Sequence, residues 1–198
     1  MITIGVTGGI GTGKSLVSEI LEALGGRLVS ADLLGHQAYL PGTAGFDHVV
    51  RRFGEGVIGQ NGTIDRKSLG ELVFADSDNM SDLNAIVHPI ILRLIKKTLE
   101  DNLNNGVEVT VVEAAILIEA GWQDLFDEIW MVSSNQDVVV KRLQSRNGFS
   151  VQDATSRIVS QMPQEDRIHY ADEIIDNSGT VEQLRKQVKK LWQEKCKS

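Results

Sequence analysis

The hydrophobic positions change their period along the chain. Met1-Ile2-Thr3-Ile4-Gly5-Val6-Thr7 alternates apolar residues with polar or small ones, the two-residue repeat of a strand. After a glycine-rich stretch, Leu16, Val17, Ile20, Leu21 and Leu24 recur at three and four, which predicts a helix that Gly25-Gly26 stops. Residues 27–30 read as a second strand. From Leu33 to about Lys97 the spacing is mostly helical, with turn residues at Pro41-Gly42-Thr43, Gly54, Gly56 and Asn61-Gly62. Within it, residues 65–74 form a short amphipathic helix. A longer helix carries Leu83, Ile86, Val87, Ile90, Ile91, Leu94 and Ile95, and Pro89 is expected to start or kink it. The β-branched run 107–112, closed by Glu113, predicts a third strand, and residues 128–132 a fourth. A helix follows from Asn135 to about Arg146, and another begins near Ser150, where Ser150 and Asp153 make a capping-box pattern. Residues 173–176 read as a fifth strand. The last helix, Thr180 to about Glu194, gathers Val181, Leu184, Val188 and Leu191 on one face.

Five short strands alternating with helices predict an α/β fold with a parallel sheet covered on both faces. About 75 residues separate the second and third strands, where a crossover needs roughly a dozen. The expected organisation is therefore a core of residues 1–32 and 101–198 with a helical lobe, residues 33–100, inserted in it.

A chain of 198 residues is long enough for such a core and lobe, and 41% hydrophobic with 24% charged residues is ordinary for a globular protein. A net charge of −7 argues against a broad nucleic-acid surface, so an anionic substrate has to be met by local basic residues. The single cysteine, Cys196, rules out an internal disulfide and a cysteine-rich zinc site, and fits a reducing compartment. No apolar run approaches the ~18 residues that span a bilayer. No basic segment precedes an apolar run at the N-terminus, and the first strand opens almost at Met1. The expectation is a cytoplasmic protein with neither membrane nor nucleic-acid partner.

The candidate chemistry centres on residues 8–15, Gly8-Gly9-Ile10-Gly11-Thr12-Gly13-Lys14-Ser15, a P-loop string lying between a predicted strand and a predicted helix. Glycines let several backbone N–H groups converge on phosphate oxygens, and the helix start adds its dipole. Gly11, Thr12, Gly13, Lys14, Ser15 and Leu16 are the candidate ATP-binding residues. Lys14 would reach the β- and γ-phosphates, and Ser15 would ligate Mg²⁺. Glu113, at the end of the third strand, is a further acidic candidate for that ion, acting through water. Asp32 ends the second strand, on the rim where open parallel sheets place ligands; there it could orient an attacking hydroxyl and take its proton. Asp32 also reads as a helix N-cap, and the residues alone leave both roles open. Asp32-Leu33-Leu34-Gly35 further spells the D-x-x-G of nucleotide switches, although the Asn-Lys-x-Asp string that confers guanine specificity is absent. Arg142 and Arg146 share a helix face and could close over a triphosphate, or be a solvated face. His88, ahead of Pro89, and Arg66 are candidates with ordinary structural readings beside them.

The ordered set of motifs resembles the dephospho-coenzyme A kinases, almost end to end. It comprises residues 5–15; Ala31-Asp32; Phe53-Gly54; Gly62-Thr63-Ile64-Asp65-Arg66; Val87-His88-Pro89; Ile116-Leu117-Ile118-Glu119; Arg142 with Arg146; Gln161-Met162-Pro163; and residues 171–179. The resemblance implies a P-loop core of the nucleoside-monophosphate-kinase type, a coenzyme-A-binding lobe at 33–100 and a small helical lid at about 141–160. It implies transfer of the γ-phosphate of ATP, with Mg²⁺, to the ribose 3′-hydroxyl of dephospho-coenzyme A, the last step of coenzyme A synthesis. Asp32 then matches the base, Lys14, Arg142 and Arg146 complete the catalytic set, and Asp32, Arg66, His88 and Gln161 fall at acceptor-side positions. The expected state is a monomer or a small homo-oligomer. Two residues depart from the family pattern. Ser30 stands where the family often has Asp, and Ala115 stands in place of a proline. The alternatives on the same core are another small-molecule or nucleotide kinase, or a nucleotide-dependent switch.

Overall fold

A computed structural model describes residues 1–196. The chain forms two compact units, one of Met1–Ser30 with the chain from Leu99 onward, the other of Ala31–Thr98.

The first unit holds a five-stranded sheet of β1 (Ile2–Thr7), β2 (Arg27–Ser30), β3 (Val109–Glu113), β4 (Glu128–Ser133) and β5 (Glu173–Asp176), in the order β2-β3-β1-β4-β5. Every pairing is parallel, as the strand–helix alternation predicts. Parallel strands are buried on both faces, and β1 and β3 accordingly read as nearly unbroken runs of buried residues. On one face the sheet packs against α1 (Lys14–Ala23), through Val17, Ile20 and Leu21, and α9 (Val181–Cys196), through Leu184, Val188 and Trp192. Of the face its spacing predicts, the final helix buries Leu184 and Val188 and packs Leu191 against the core, but Val181 is exposed and Trp192 is buried instead. β1 lies between β3 and β4, where the winding of the sheet reverses, and this switch point is where such sheets open a crevice for a ligand.

The second unit is helical. It contains α2 (Ala31–Gln37), α3 (Ala44–Phe53), α4 (Arg66–Ala75) and most of α5 (Ser77–Asn104). Val49, Val57, Ile64, Leu69 and Val73 form its core, with Phe46, Leu83 and Ile86 packed against them. Polar side chains set the helix starts. Thr43 Oγ1 accepts from Phe46 N–H at 3.2 Å, and Asp65 accepts from Lys67 N–H at 3.0 Å and from the Ser68 hydroxyl at 2.6 Å. These bonds hold the Asp65 carboxyl below its ordinary pKa.

Three elements differ from the sequence reading. The long helix does not start at Pro89 but runs from Ser77 to Asn104 with Pro89 inside. A proline removes one donor from the ladder, while Val87, Ile91 and Ile95 are buried on one side of this helix and offset that loss. Asp32 lies within the first turn of α2, not at its cap, because the helix begins directly after β2. A short helix, α8 (Gln164–Ile168), follows Pro163 where none was expected; its few residues are too short for a periodic signal. The first unit also contains α6 (Gln136–Asn147) and α7 (Val151–Val159). Ser150 caps α7, accepting from Asp153 N–H at 3.0 Å and donating its hydroxyl to Asp153 Oδ2 at 2.6 Å.

Candidate active site

The loop between β1 and α1 leaves the sheet at its switch point. Gly13 occupies the left-handed region, with φ +99°, at the cap of α1, and a Cβ there would run into the Asn177 amide. Position 13 therefore requires glycine on both backbone and space grounds. Gly13→Ala is expected to displace the loop and weaken ATP binding at least about tenfold, because left-handed strain of ~1–2 kcal/mol adds to the clash; calorimetric titration with ATP checks it.

Side chains hold the carbonyl oxygens of this loop. Lys14 Nζ donates to Gly8 O at 2.9 Å and Gly9 O at 3.1 Å. The Thr12 hydroxyl donates to Gly9 O at 2.9 Å. Asn177 Nδ2 donates to Thr12 O at 2.7 Å, and Arg142 Nη1 donates to the same oxygen at 3.2 Å and to Gly11 O at 3.4 Å. Val17 N–H makes a helical bond to Gly13 O at 3.2 Å, so the N–H groups ahead of it project from the helix start, as helix N-termini present them to anions. A lysine ammonium beside N–H groups that converge at a helix start has the donors and charge that suit a polyphosphate.

Ser15 and Glu113 meet in this unit. β1 and β3 pair so that Val6 lies beside Glu113, and the Ser15 hydroxyl donates to Glu113 Oε1 at 2.8 Å. No group of three or more His, Cys, Asp or Glu residues that could hold a metal occurs among the described residues. Mg²⁺ takes one or two protein oxygens and completes its shell with water and phosphate oxygens, so a hydroxyl and a carboxylate beside a phosphate loop fit it chemically.

Arg142 and Arg146 lie on one helix, α6, but in different surroundings. Arg142 is half-buried and also donates Nη2 to Asn177 O at 2.8 Å. Its bonds to Gly11, Thr12 and Asn177 all go to backbone carbonyls, so it binds the loop's own frame. Arg146 is exposed, with its Nε on Asn147 Oδ1 at 3.0 Å. Gln161, just beyond α7, accepts from Ile10 N–H through Oε1 at 2.7 Å, in contact with the loop's apex. A pocket of about 470 Å³ opens there, between the apex, the start of α6 and the Gln161-Met162-Pro163 segment.

The second unit brings Asp32, His36 and Arg66 together. Asp32 is exposed in the first turn of α2, His36 follows four residues later, and Arg66 Nη1 lies 3.4 Å from His36 Nδ1. Burial and the Arg66 charge lower the His36 pKa, against an opposing pull from Asp32. His88 lies half-buried on α5, and burial lowers its pKa as well. The D-x-x-G string is helical throughout, and Gly35 is buried with Ile91 so close that a Cβ would sit 3.2 Å from its side chain. A switch needs that glycine in a loop free to turn its N–H toward a phosphate, so the string has no such use here.

The sequence assigns no role to His36, to Asn177 or to the ion pair between the buried Arg167 and the exposed Glu119. The spacing of Asp32 and His36 was a usable signal. Asn177 and Glu119 lay within quoted motifs without a function attached. Nothing in the sequence pairs Arg167 with Glu119.

The model of the dephospho-CoA kinase family matches residues 2–183. A dephospho-CoA kinase of Geobacter sulfurreducens is 43% identical over 192 residues, covering 97% of this chain and 98% of that one. Among solved structures, the dephospho-CoA kinase of Campylobacter jejuni is 27% identical with a TM-score of 0.75, covering 98% of this chain and 97% of that one. A Thermus thermophilus protein is 28% identical with a TM-score of 0.80, at the same coverage. With the phosphate loop, its lysine and its hydroxyl–carboxylate pair in place, the chain belongs to the dephospho-CoA kinase family.

Proposed function

We propose that the chain transfers the γ-phosphate of ATP to the ribose 3′-hydroxyl of dephospho-coenzyme A, giving coenzyme A and ADP. The observation that carries this reading is the phosphate loop, with Lys14 across its carbonyls and Ser15 on Glu113, in a chain of this family.

The N–H groups of Gly11 to Leu16 hold the β- and γ-phosphates, and Lys14 turns its ammonium onto them. Ser15 would hold Mg²⁺ directly and Glu113 through water, and the ion when bound would supply positive charge against the phosphates. Asp32 accepts the proton of the 3′-hydroxyl as its oxygen bonds to the γ-phosphorus. The bond from that phosphorus to the β–γ bridging oxygen breaks, and ADP leaves with the electron pair. Because the transferred group is loosely bonded at the transition state, positioning and charge do most of the work. Arg142 keeps the loop in shape and Arg146, exposed on the lid, supplies charge to the phosphates. Arg66, His88 and Gln161 contact the acceptor.

In this assignment residues 33–100 bind coenzyme A and 141–160 form the lid. The setting is the cytoplasm, and the working state is a monomer or small homo-oligomer, with no nucleic-acid or membrane partner. No helix among the described residues is long and apolar enough to cross a membrane.

ADP release with Mg²⁺ and ATP, compared across dephospho-coenzyme A, AMP, shikimate, pantothenate and no acceptor, tests the assignment. Turnover is expected with dephospho-coenzyme A and background release with the rest. Turnover with a different acceptor alone would move the chain to another kinase activity.

A further inference from the structure

Arg167 is 1% exposed, yet it carries a full charge. Its Nη2 pairs with Glu119 Oε1, and its Nη1 reaches Glu119 Oε2 at 3.4 Å. Its other contacts are with main chain: Nε donates to Met162 O at 3.2 Å and Nη1 to Ala115 O at 3.2 Å. The rigid fork of one guanidinium thus ties the segment after β3 to the segment after α7. The Glu119 side chain keeps 30% of its surface exposed, so solvent screens the pair and stability is a weak reason to keep it. What the pair supplies is position.

Met162 is the neighbour of Gln161, whose Oε1 holds Ile10 N–H at the apex of the phosphate loop. The contacts run without a gap from Glu119 through Arg167, Met162 and Gln161 to Ile10, and Gln161, Met162, Arg167 and Ile10 all border the pocket beside the loop. We propose that Arg167, anchored by Glu119, is a positioning residue for the phosphate loop: it sets Gln161 against Ile10 N–H and so holds the apex in the shape that receives ATP. The proposal rests on the reading of this loop as the ATP site.

Arg167→Lys is the informative variant, since it keeps a charge beside Glu119 but loses the fork that reaches Met162 O. ATP dissociation constants would be measured by calorimetry on the full chain for wild type, Arg167→Lys, Gln161→Ala and the double variant. Each single variant is expected to weaken binding by about five- to tenfold, and the double variant no further than the weaker single, because both break one chain of contacts. Thermal unfolding is followed in parallel. A residue that only stabilises the fold lowers the unfolding midpoint and leaves the dissociation constant of the folded protein unchanged, and that result overturns the proposal. So does a double variant whose loss is the product of the two single losses. If Arg167→Lys does not fold, Glu119→Asp replaces it in the same cycle and is read the same way. The wild-type titration tests the ATP site by itself, so a failure there is distinct from a failure of the Arg167 contacts.

Discussion

Asp32→Asn is expected to lower kcat by roughly 10²- to 10⁴-fold, the usual contribution of a positioned general base, while ATP affinity stays within about twofold of wild type. The carboxamide matches the carboxylate in size and can still orient a hydroxyl, but it cannot take the proton. The fold should tolerate the change. Asp32 is exposed in the first turn of α2, and loss of its charge near that helix start costs only about 0.3–1 kcal/mol. Steady-state ADP release, with calorimetric ATP titration beside it, separates the two quantities. Near-normal turnover in this variant would remove Asp32 from the role of base.

Lys14→Ala is expected to act on both binding and chemistry. The ammonium is held over the loop by Gly8 O and Gly9 O, so its positive charge sits within the ring of groups that would surround the phosphates. Removing one preorganised donor from a site of developing negative charge costs roughly 10²- to 10³-fold in kcat, and loss of ground-state contact raises the KM for ATP as well. The contrast between the two variants is informative: a pure kcat effect at Asp32, and a joint kcat and KM effect at Lys14. A Lys14→Ala enzyme with wild-type kinetics would contradict the placement of ATP on this loop.

Much of this was legible in the sequence because it is local. The alternation in residues 1–7, the glycine string and the helical spacing of Leu16 to Leu24 lie within one strand–loop–helix unit, and each predicts its own geometry. The first strand was recognisable from its alternation and the third from its β-branched run, and parallel pairing followed from the alternation of five short strands with helices. The failures were of two kinds. Local rules lost to packing at Pro89, where buried residues on one side of α5 carry the helix through rather than letting it start there, and at Asp32, where α2 starts at Ala31, two residues earlier than an Asp32 cap would place it. The other kind was distance along the chain. Gln161 meets Ile10 across 151 positions, Asn177 meets Thr12 across 165, and Arg167 meets Glu119 across 48. No periodicity reports such meetings; only the folded sheet brings the ends of β1, β3 and β5 to one rim. Arg142 illustrates the consequence. From its spacing it shares a face with Arg146, but in the fold it serves the carbonyls of the phosphate loop while Arg146 stays exposed.

The most direct test of the central claim is the chemical identity of the product. Purified protein would be incubated with ATP, Mg²⁺ and dephospho-coenzyme A, and the product resolved by mass spectrometry and phosphorus NMR. The account predicts one added phosphate, as a monoester on the ribose 3′-oxygen, formed in step with ADP. ATP bound tightly with no phosphate on dephospho-coenzyme A, or a phosphate at any other position, would contradict it.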